Sequence, residues 1–285
     1  MSNRNNQQNK QAARERLRAE RERQAKKDKA RRQLFVGGAI VAVLAAAAGI
    51  GVAVSNATNG SKNNKVSSED WDAAAKKTTF SRPAHTTGDK GTTVVIGDAG
   101  AKNTLQVFED MRCPVCSQFE QMTGDTVIKD IKSGKYKAQY VIGTFLDRNP
   151  QIKGSGSKNA LSALGAALNV STDAFLEYKK ALFAKDNHPE ETDDAFSDDA
   201  RLIDIAQQVG ALKGNAEFEK NVKDGTFDKW ALALSDAFDK EVGPKKDIQG
   251  TPGFKLNGKV LADANGRPPM VAQQFTAAVD EGLKK

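Results

Sequence analysis

Cysteine and histidine are nearly missing from this chain, with two of each in 285 residues. Their scarcity excludes much of the chemistry they support. A structural zinc site takes four ligands, so one made of Cys and His would have to recruit all four. His85 sits in a polar spacer and His188 in an acidic run, and neither shows ligand spacing to the other residues. No metal site is expected. A structural disulfide between Cys113 and Cys116 would close a tiny loop and restrain the unfolded chain little. Net charge is also missing where it would matter. The chain totals +7, but residues 1–33 hold 12 Lys/Arg against 4 Asp/Glu, and the remainder is close to neutral. The body therefore has no charge to draw it to nucleic acid, and no nucleic-acid partner is expected. No internal repeat is visible. The run from Asp186 to Asp199 has seven carboxylates and no Lys or Arg, but no EF-hand spacing. It reads as a solvated loop that caps helices.

Residues 34–54 lack charge altogether. As a helix, 21 residues rise roughly 30 Å, enough to cross a bilayer's hydrocarbon core. Lys26, Lys27, Lys29, Arg31 and Arg32 precede the segment, whereas Ser, Asn, Thr and Gly come after it. The positive-inside rule then keeps residues 1–33 in the cytoplasm as a basic tail and exports the chain beyond residue 54. A signal peptide cut near Ser55-Asn56-Ala57 is the alternative. The long charged lead and long apolar run favour an uncleaved anchor. Either way the domain is extracytoplasmic. The tail's basic residues also suit anionic lipid headgroups.

Residues 55–90 read as a mostly irregular extracytoplasmic linker with a short helix near Glu69–Lys77, capped by Ser67 or Ser68. The domain proper then spans 91–285. Strands are expected at Thr92–Gly97, Thr104–Phe108 and Lys137–Ile142. Between the last two, a helix opens at Pro114, presents Phe119, Met122, Ile128 and Ile131 to the core and stops near Gly134. Helices fill about 155–245, with caps at Ser171 and Ser197. Trp230 and the Phe-rich helices read as core. A hairpin about Asn257-Gly258 and a final helix over Met270–Leu283 close the chain. The order β-β-α-β, helical block, β-β-α describes an α/β split sheet with helices inserted in its middle.

The remaining chemistry rests on Cys113-Pro114-Val115-Cys116, placed where a strand turns into a helix. Such a pair reads as a thioredoxin-like redox site. Thiolate is the attacking species in disulfide exchange, and unpaired N–H groups at a helix start favour it. Cys113 is thus the expected nucleophile, and Cys116, one turn in, the resolving thiol.

Phe108-Glu-Asp-Met-Arg-Cys-Pro-Val-Cys116 resembles the F-x-D-F-x-C-P-x-C signature of DsbA-like thiol–disulfide oxidoreductases. Thr251-Pro-Gly-Phe-Lys-Leu-Asn-Gly-Lys259 is similar to that family's T-P-T-F-x-x-N-G-K stretch. The resemblance covers roughly residues 90–285. It implies a thioredoxin fold with a helical insertion, here preceded by a single transmembrane helix. It also implies a cis Pro252 beside the cysteines, with substrate backbone pairing at Thr251 and contacts at Pro114 and Val115. There are departures. Val115 stands where the best-known oxidases have His, which would leave the Cys113 thiolate less stabilised. Val107 occupies the place of a buried acid, so Glu109 and Asp110 become the candidate proton relays. Met111 replaces Phe. Gly253 replaces Thr and suggests a more permissive loop. Arg112 either offsets the missing histidine or is a solvated surface residue.

The expected function is disulfide exchange with unfolded or partly folded exported proteins bearing free thiols, most readily as an oxidase served by a separate reoxidising partner. The redox-active disulfide takes the place of any cofactor. A reductase or isomerase, or a non-catalytic membrane-tethered binding module, remain the alternatives.

Overall fold

The structure is a computed structural model that describes residues 65–88 and 90–284. The expected basic tail, the apolar segment 34–54 and the start of the linker lie outside those residues. Among the described residues, no helix is long and apolar enough to cross a membrane.

Five strands form one sheet in the order β1-β3-β2-β4-β5. β1 is Val94–Ile96, β2 Thr104–Asp110, β3 Lys137–Gly143, β4 Gly253–Leu256 and β5 Lys259–Val260. β2 and β3 run parallel, joined by the crossover helix α2 (Pro114–Lys132), and the other pairs are antiparallel. β2 is central and its last four residues are all buried. Along it Leu105 and Val107 enter the main core, while Phe108 faces a smaller cluster with Val141, Phe238 and Ile248. This alternation follows from the period of two along a strand. The main-core face is covered by α2 and the final helix α8 (Ala272–Gly282), where Phe119, Phe254 and Phe275 meet ring to ring. On the other face α7 (Asp228–Glu241) lies so close that a Cβ on Gly143 would fall 2.4 Å from the Phe238 ring.

Helices α3 (Gly156–Val170), α4 (Thr172–Phe183), α5 (Asp199–Ala206), α6 (Ala216–Lys223) and α7 are inserted between β3 and β4. α3 is buried on nearly every side, as its Ala- and Leu-rich sequence requires. Ser171 caps α4 by accepting the Ala174 N–H. Asn257 and Gly258 both have positive φ (51° and 80°), which the two-residue β4–β5 turn demands. Gly134, with φ of 72°, ends α2 where expected.

Two local expectations need correction. Met122 is 45% exposed, because α2 turns that position away from the sheet. Asp198, not Ser197, caps α5 by accepting the Ala200 N–H, and the buried Ser197 hydroxyl bonds back to the Asp194 carbonyl. The linker, from residue 65 onward, is mostly irregular and has the expected short helix capped by Ser67, but it packs onto the domain and does not stand free of it. Val66 donates to the Ser197 carbonyl and accepts from the Ser155 hydroxyl, both at 2.9 Å. Ser67 and Asp70 form a reciprocal capping box for α1 (Ser68–Lys76). Trp71 and Ala74 on one face of α1 are buried, and Lys158 lies 5.4 Å over the Trp71 ring. Farther on, Thr87 and Thr93 exchange backbone hydrogen bonds, and the Trp230 Nε1 donates to the Gly91 carbonyl at 2.6 Å. The polar composition of this stretch conceals the apolar face that Trp71 supplies. Replacing Trp71 by Ala should lower the unfolding free energy by about 3 kcal/mol in urea titrations. An unchanged midpoint would mean that the arm contributes nothing to the fold.

Candidate active site

β2 ends at Asp110, and the chain reaches α2 through a tight turn in which the Cys113 N–H donates to the Asp110 carbonyl at 3.0 Å. Cys113 is the extended N-cap residue of α2 (φ −72°, ψ 115°) and Pro114 comes next as its first helical residue. There the missing proline N–H costs nothing, since the first turn has no intrahelical acceptors. Both cysteines are free thiols. Both are buried, but Cys113 is 6% exposed and Cys116 is 0% exposed, so only Cys113 reaches the surface.

The second half of the site arrives through sheet pairing. Phe108 of β2 lies opposite Gly253 of β4, which brings the cis Thr251-Pro252 unit beside the turn. The Thr251 hydroxyl donates to the Cys113 sulfur at 3.4 Å, and the Cys113 thiol lies 3.7 Å from the Thr251 carbonyl oxygen. Around this point opens a cavity of about 520 Å³, lined by Val115, Ile248, Gly250, Pro252, Val260 and Leu261 among others. Val115 is 43% exposed at its rim.

The electrostatics separate the two sulfurs. Hydrogen bonding from the Cys116 thiol, then from the Thr251 hydroxyl, lowers the Cys113 pKa against the opposing effect of burial. Burial pushes the Cys116 thiol well up, and the neighbouring Cys113 and Glu109 push it further. The pair is thus built to carry its negative charge on Cys113. Two buried carboxyls lie close by. Burial raises Glu109 to about 7 despite Lys179, whose Nζ is 3.1 Å from its carboxylate and 2.6 Å from that of Glu120. Burial also raises Asp110 to about 7, although it accepts from the Ser157 hydroxyl and from the backbone N–H groups of Arg112 and Leu146. The charge of Glu109 raises Cys116, and that of Asp110 raises Cys113.

The structure brings together Cys113, Cys116, Pro114, Val115, Thr251, Pro252, Glu109 and Asp110. It corrects the surface reading of Arg112, which is fully buried. Its guanidinium is held by Asp147 and Asp194. Gly253 is closely packed. A Cβ there would lie 2.5 Å from the Ile248 side chain. The acidic run caps helices as expected: Asp194 accepts the N–H groups of Ser155 and Gly156 at the start of α3, and Asp198 caps α5. Sequence reasoning missed Glu120 and Lys179. Glu120 lies four residues beyond Cys116 on one helix, so its shared face was legible. Lys179 comes from α4 and carried no local signal. Among the described residues, no group of three or more His, Cys, Asp or Glu is arranged to hold a metal ion.

Residues 89–281 match the family model described as Thioredoxin. The chain is 27% identical over 168 residues to the disulfide bond formation protein D of Bacillus subtilis, a match covering 59% of this chain and 68% of that protein. Among solved structures it is similar to the reduced form of the disulfide bond oxidoreductase DsbG from Mycobacterium tuberculosis, with a TM-score of 0.54 and 24% identity over 68% of this chain and 89% of that one. BdbD from Bacillus subtilis in its oxidised form gives a TM-score of 0.51 and 24% identity over 72% and 100%. At that identity the likeness to these two structures is one of fold.

The electrostatics lead to two expected outcomes. Alkylation of the reduced protein should occur at Cys113 with a titration midpoint below that of an ordinary thiol, about 8.5. Thr251→Val should move that midpoint up and leave Cys116 unreactive, as read by iodoacetamide kinetics and peptide mapping. Asp110 holds its proton more tightly folded than unfolded. Its stabilising contribution is complete below the unfolded value and fades as pH rises through about 7. Urea midpoints should therefore fall as pH rises from about 4 to about 7, and less so in Asp110→Asn.

Proposed function

Taking as premise that the chain belongs to the thioredoxin family, we propose that it is a protein thiol–disulfide oxidoreductase of the DsbA-like class that oxidises exported proteins outside the cytoplasmic membrane. The observation that carries this reading is the asymmetry of the pair: Cys113 keeps a little exposed surface beside Thr251 and takes the charge, and Cys116 is fully buried behind it. A substrate thiolate attacks the Cys113 sulfur of the Cys113–Cys116 disulfide. A mixed disulfide forms, and Cys116 leaves as a thiolate. Buried and raised in pKa, Cys116 takes up a proton, for which Glu109, itself near about 7, is the donor within the same electrostatic cluster. A second substrate thiolate then attacks the substrate sulfur of the mixed disulfide and releases Cys113 as a thiolate, its better leaving form. The substrate dithiol loses two electrons and the enzyme pair gains them. A separate electron acceptor restores the disulfide. No cofactor or metal takes part.

An extended client fits the cavity beside Thr251, its backbone running along the Thr251 segment and its apolar side chains against Val115, Pro252 and Val260. Residues 34–54 anchor the protein as a single-pass membrane helix, with the basic tail cytoplasmic and held to anionic lipid. Nucleic acid has no place in this reading.

Reductase or isomerase action is the second reading, favoured by Val115, which cannot stabilise the thiolate as a histidine would. The deciding measurement is the reduction potential of the pair in the purified full-length protein. A value far less negative than the thioredoxin value of about −270 mV is expected, and one close to it would overturn the oxidase assignment. Cys113→Ser should abolish oxidation of a reduced test protein, whereas Cys116→Ser should accumulate mixed disulfides. A wild-type pair inert in both oxidation and reduction would leave a non-catalytic binding module. Reporter fusions before residue 34 and after residue 55 test the topology.

A further inference from the structure

The residue directly before the nucleophile is the hub of a buried ionic network that the exchange chemistry does not use. Arg112 is fully buried. Its Nη1 lies 3.0 Å from Asp147, 3.2 Å from Asp194 and 3.2 Å from the Lys153 carbonyl, and its Nη2 donates to the Glu191 carbonyl at 3.0 Å. Those partners belong to the segment that leads into the helical insertion and to the acidic loop between α4 and α5.

Both carboxylates have a second task. Helix α3 starts without a side-chain cap of its own, since Ser155 makes none. Asp194 accepts the N–H groups of Ser155 and Gly156, and Asp147 accepts those of Ser157 and Lys158. Two remote carboxylates thereby cap the first inserted helix, and Arg112 sits between them. The same helix start reaches Asp110, because the Ser157 hydroxyl donates to its carboxylate at 2.6 Å. Asp110 in turn accepts the Arg112 N–H and, through its carbonyl, the Cys113 N–H. Every residue from Asp110 to Cys113 except Met111 is thus bonded into this network. A planar guanidinium with donors in a fixed fork suits such a junction, and an ammonium does not reproduce it.

We propose that Arg112, clamped by Asp147 and Asp194, is a positioning residue for Cys113, so that the helical insertion takes part in setting where the nucleophilic sulfur sits against Thr251. The contact at stake is the 3.4 Å hydrogen bond from the Thr251 hydroxyl to the sulfur. The guanidinium works through geometry, not through its charge. This rests on the oxidoreductase reading only in that it makes Cys113 the nucleophile.

The test uses the full-length reduced protein and needs no substrate, so it stands even if disulfide exchange is never observed. Arg112→Lys keeps the charge and loses the fork, Arg112→Met loses both, and Asp194→Asn loosens the clamp while keeping an acceptor for the α3 N–H groups. Iodoacetamide alkylation of Cys113 is followed against pH on protein shown to be folded by circular dichroism. Both Arg112 variants should react about tenfold more slowly than wild type below the titration midpoint, with Asp194→Asn shifted part of the way in the same direction. Wild-type kinetics in Arg112→Lys alone would assign the effect to charge and overturn the proposal. So would wild-type kinetics in all folded variants, which would leave Arg112 a stability residue only. If the Arg112 variants do not fold, Asp194→Asn decides by the same criterion.

Discussion

Putting negative charge on a nearly buried sulfur is the constraint around which this site is arranged. Burial opposes ionisation of both thiols, so the favoured one must be singled out by donors. Cys113 obtains them in three ways from two parts of the chain: its position at the start of α2, the thiol of Cys116 in the same turn and the hydroxyl of the distant Thr251. Each depends on a different structural fact. The helix start requires the β2–α2 turn, the Cys116 contact requires one turn of helix, and Thr251 requires that β4 pair with β2. Loss of any one shifts the balance toward the neutral thiol. The same burial that hinders Cys113 fixes Cys116 as the protonated partner and lifts Glu109 and Asp110 toward neutrality, so the chemistry has proton carriers at hand near physiological pH.

The buried charges carry a second message about how the insertion is attached. Glu109 on β2, Glu120 on α2 and Lys179 on α4 meet in a desolvated cluster, with the ammonium also lying over the rings of Tyr140 and Phe183. Arg112, Asp147 and Asp194 form another such cluster on the approach to α3. Ion pairs of this kind add little net stability compared with apolar replacements, but they punish any arrangement that leaves one member unpaired. The helical block is therefore keyed to the redox half-site at two places as well as packed against it.

Local features were the ones legible in the sequence. The strand–turn–helix around Cys113, the Asn257-Gly258 turn, the stop at Gly134 and the run of inserted helices are all encoded within a few residues, and the structure has them. The thioredoxin-like pairing of Thr251 with Cys113 was legible only because both stretches carry recognisable motifs. Features set by distant partners could not be read. Arg112 finds its carboxylate 35 residues on and a carbonyl 79 residues on, and Lys179 reaches Glu109 across 70. No periodicity announces such contacts. The arm before β1 shows its expected helix and Ser67 cap, but its packing was not legible for a different reason: one tryptophan amid Lys, Asp and Ser does not register as an apolar face until the surface that receives it is known.

The tight seat of Gly253 against Ile248 bears on how this loop could be altered. Ile248 belongs to the small cluster beneath Phe108, so the residue after Pro252 and the residue four positions before Pro252 share one volume. A threonine at 253 would force the isoleucine aside and disturb the packing under the central strand. The two positions are exchangeable only as a couple, with a smaller side chain at 248 admitting a larger one at 253.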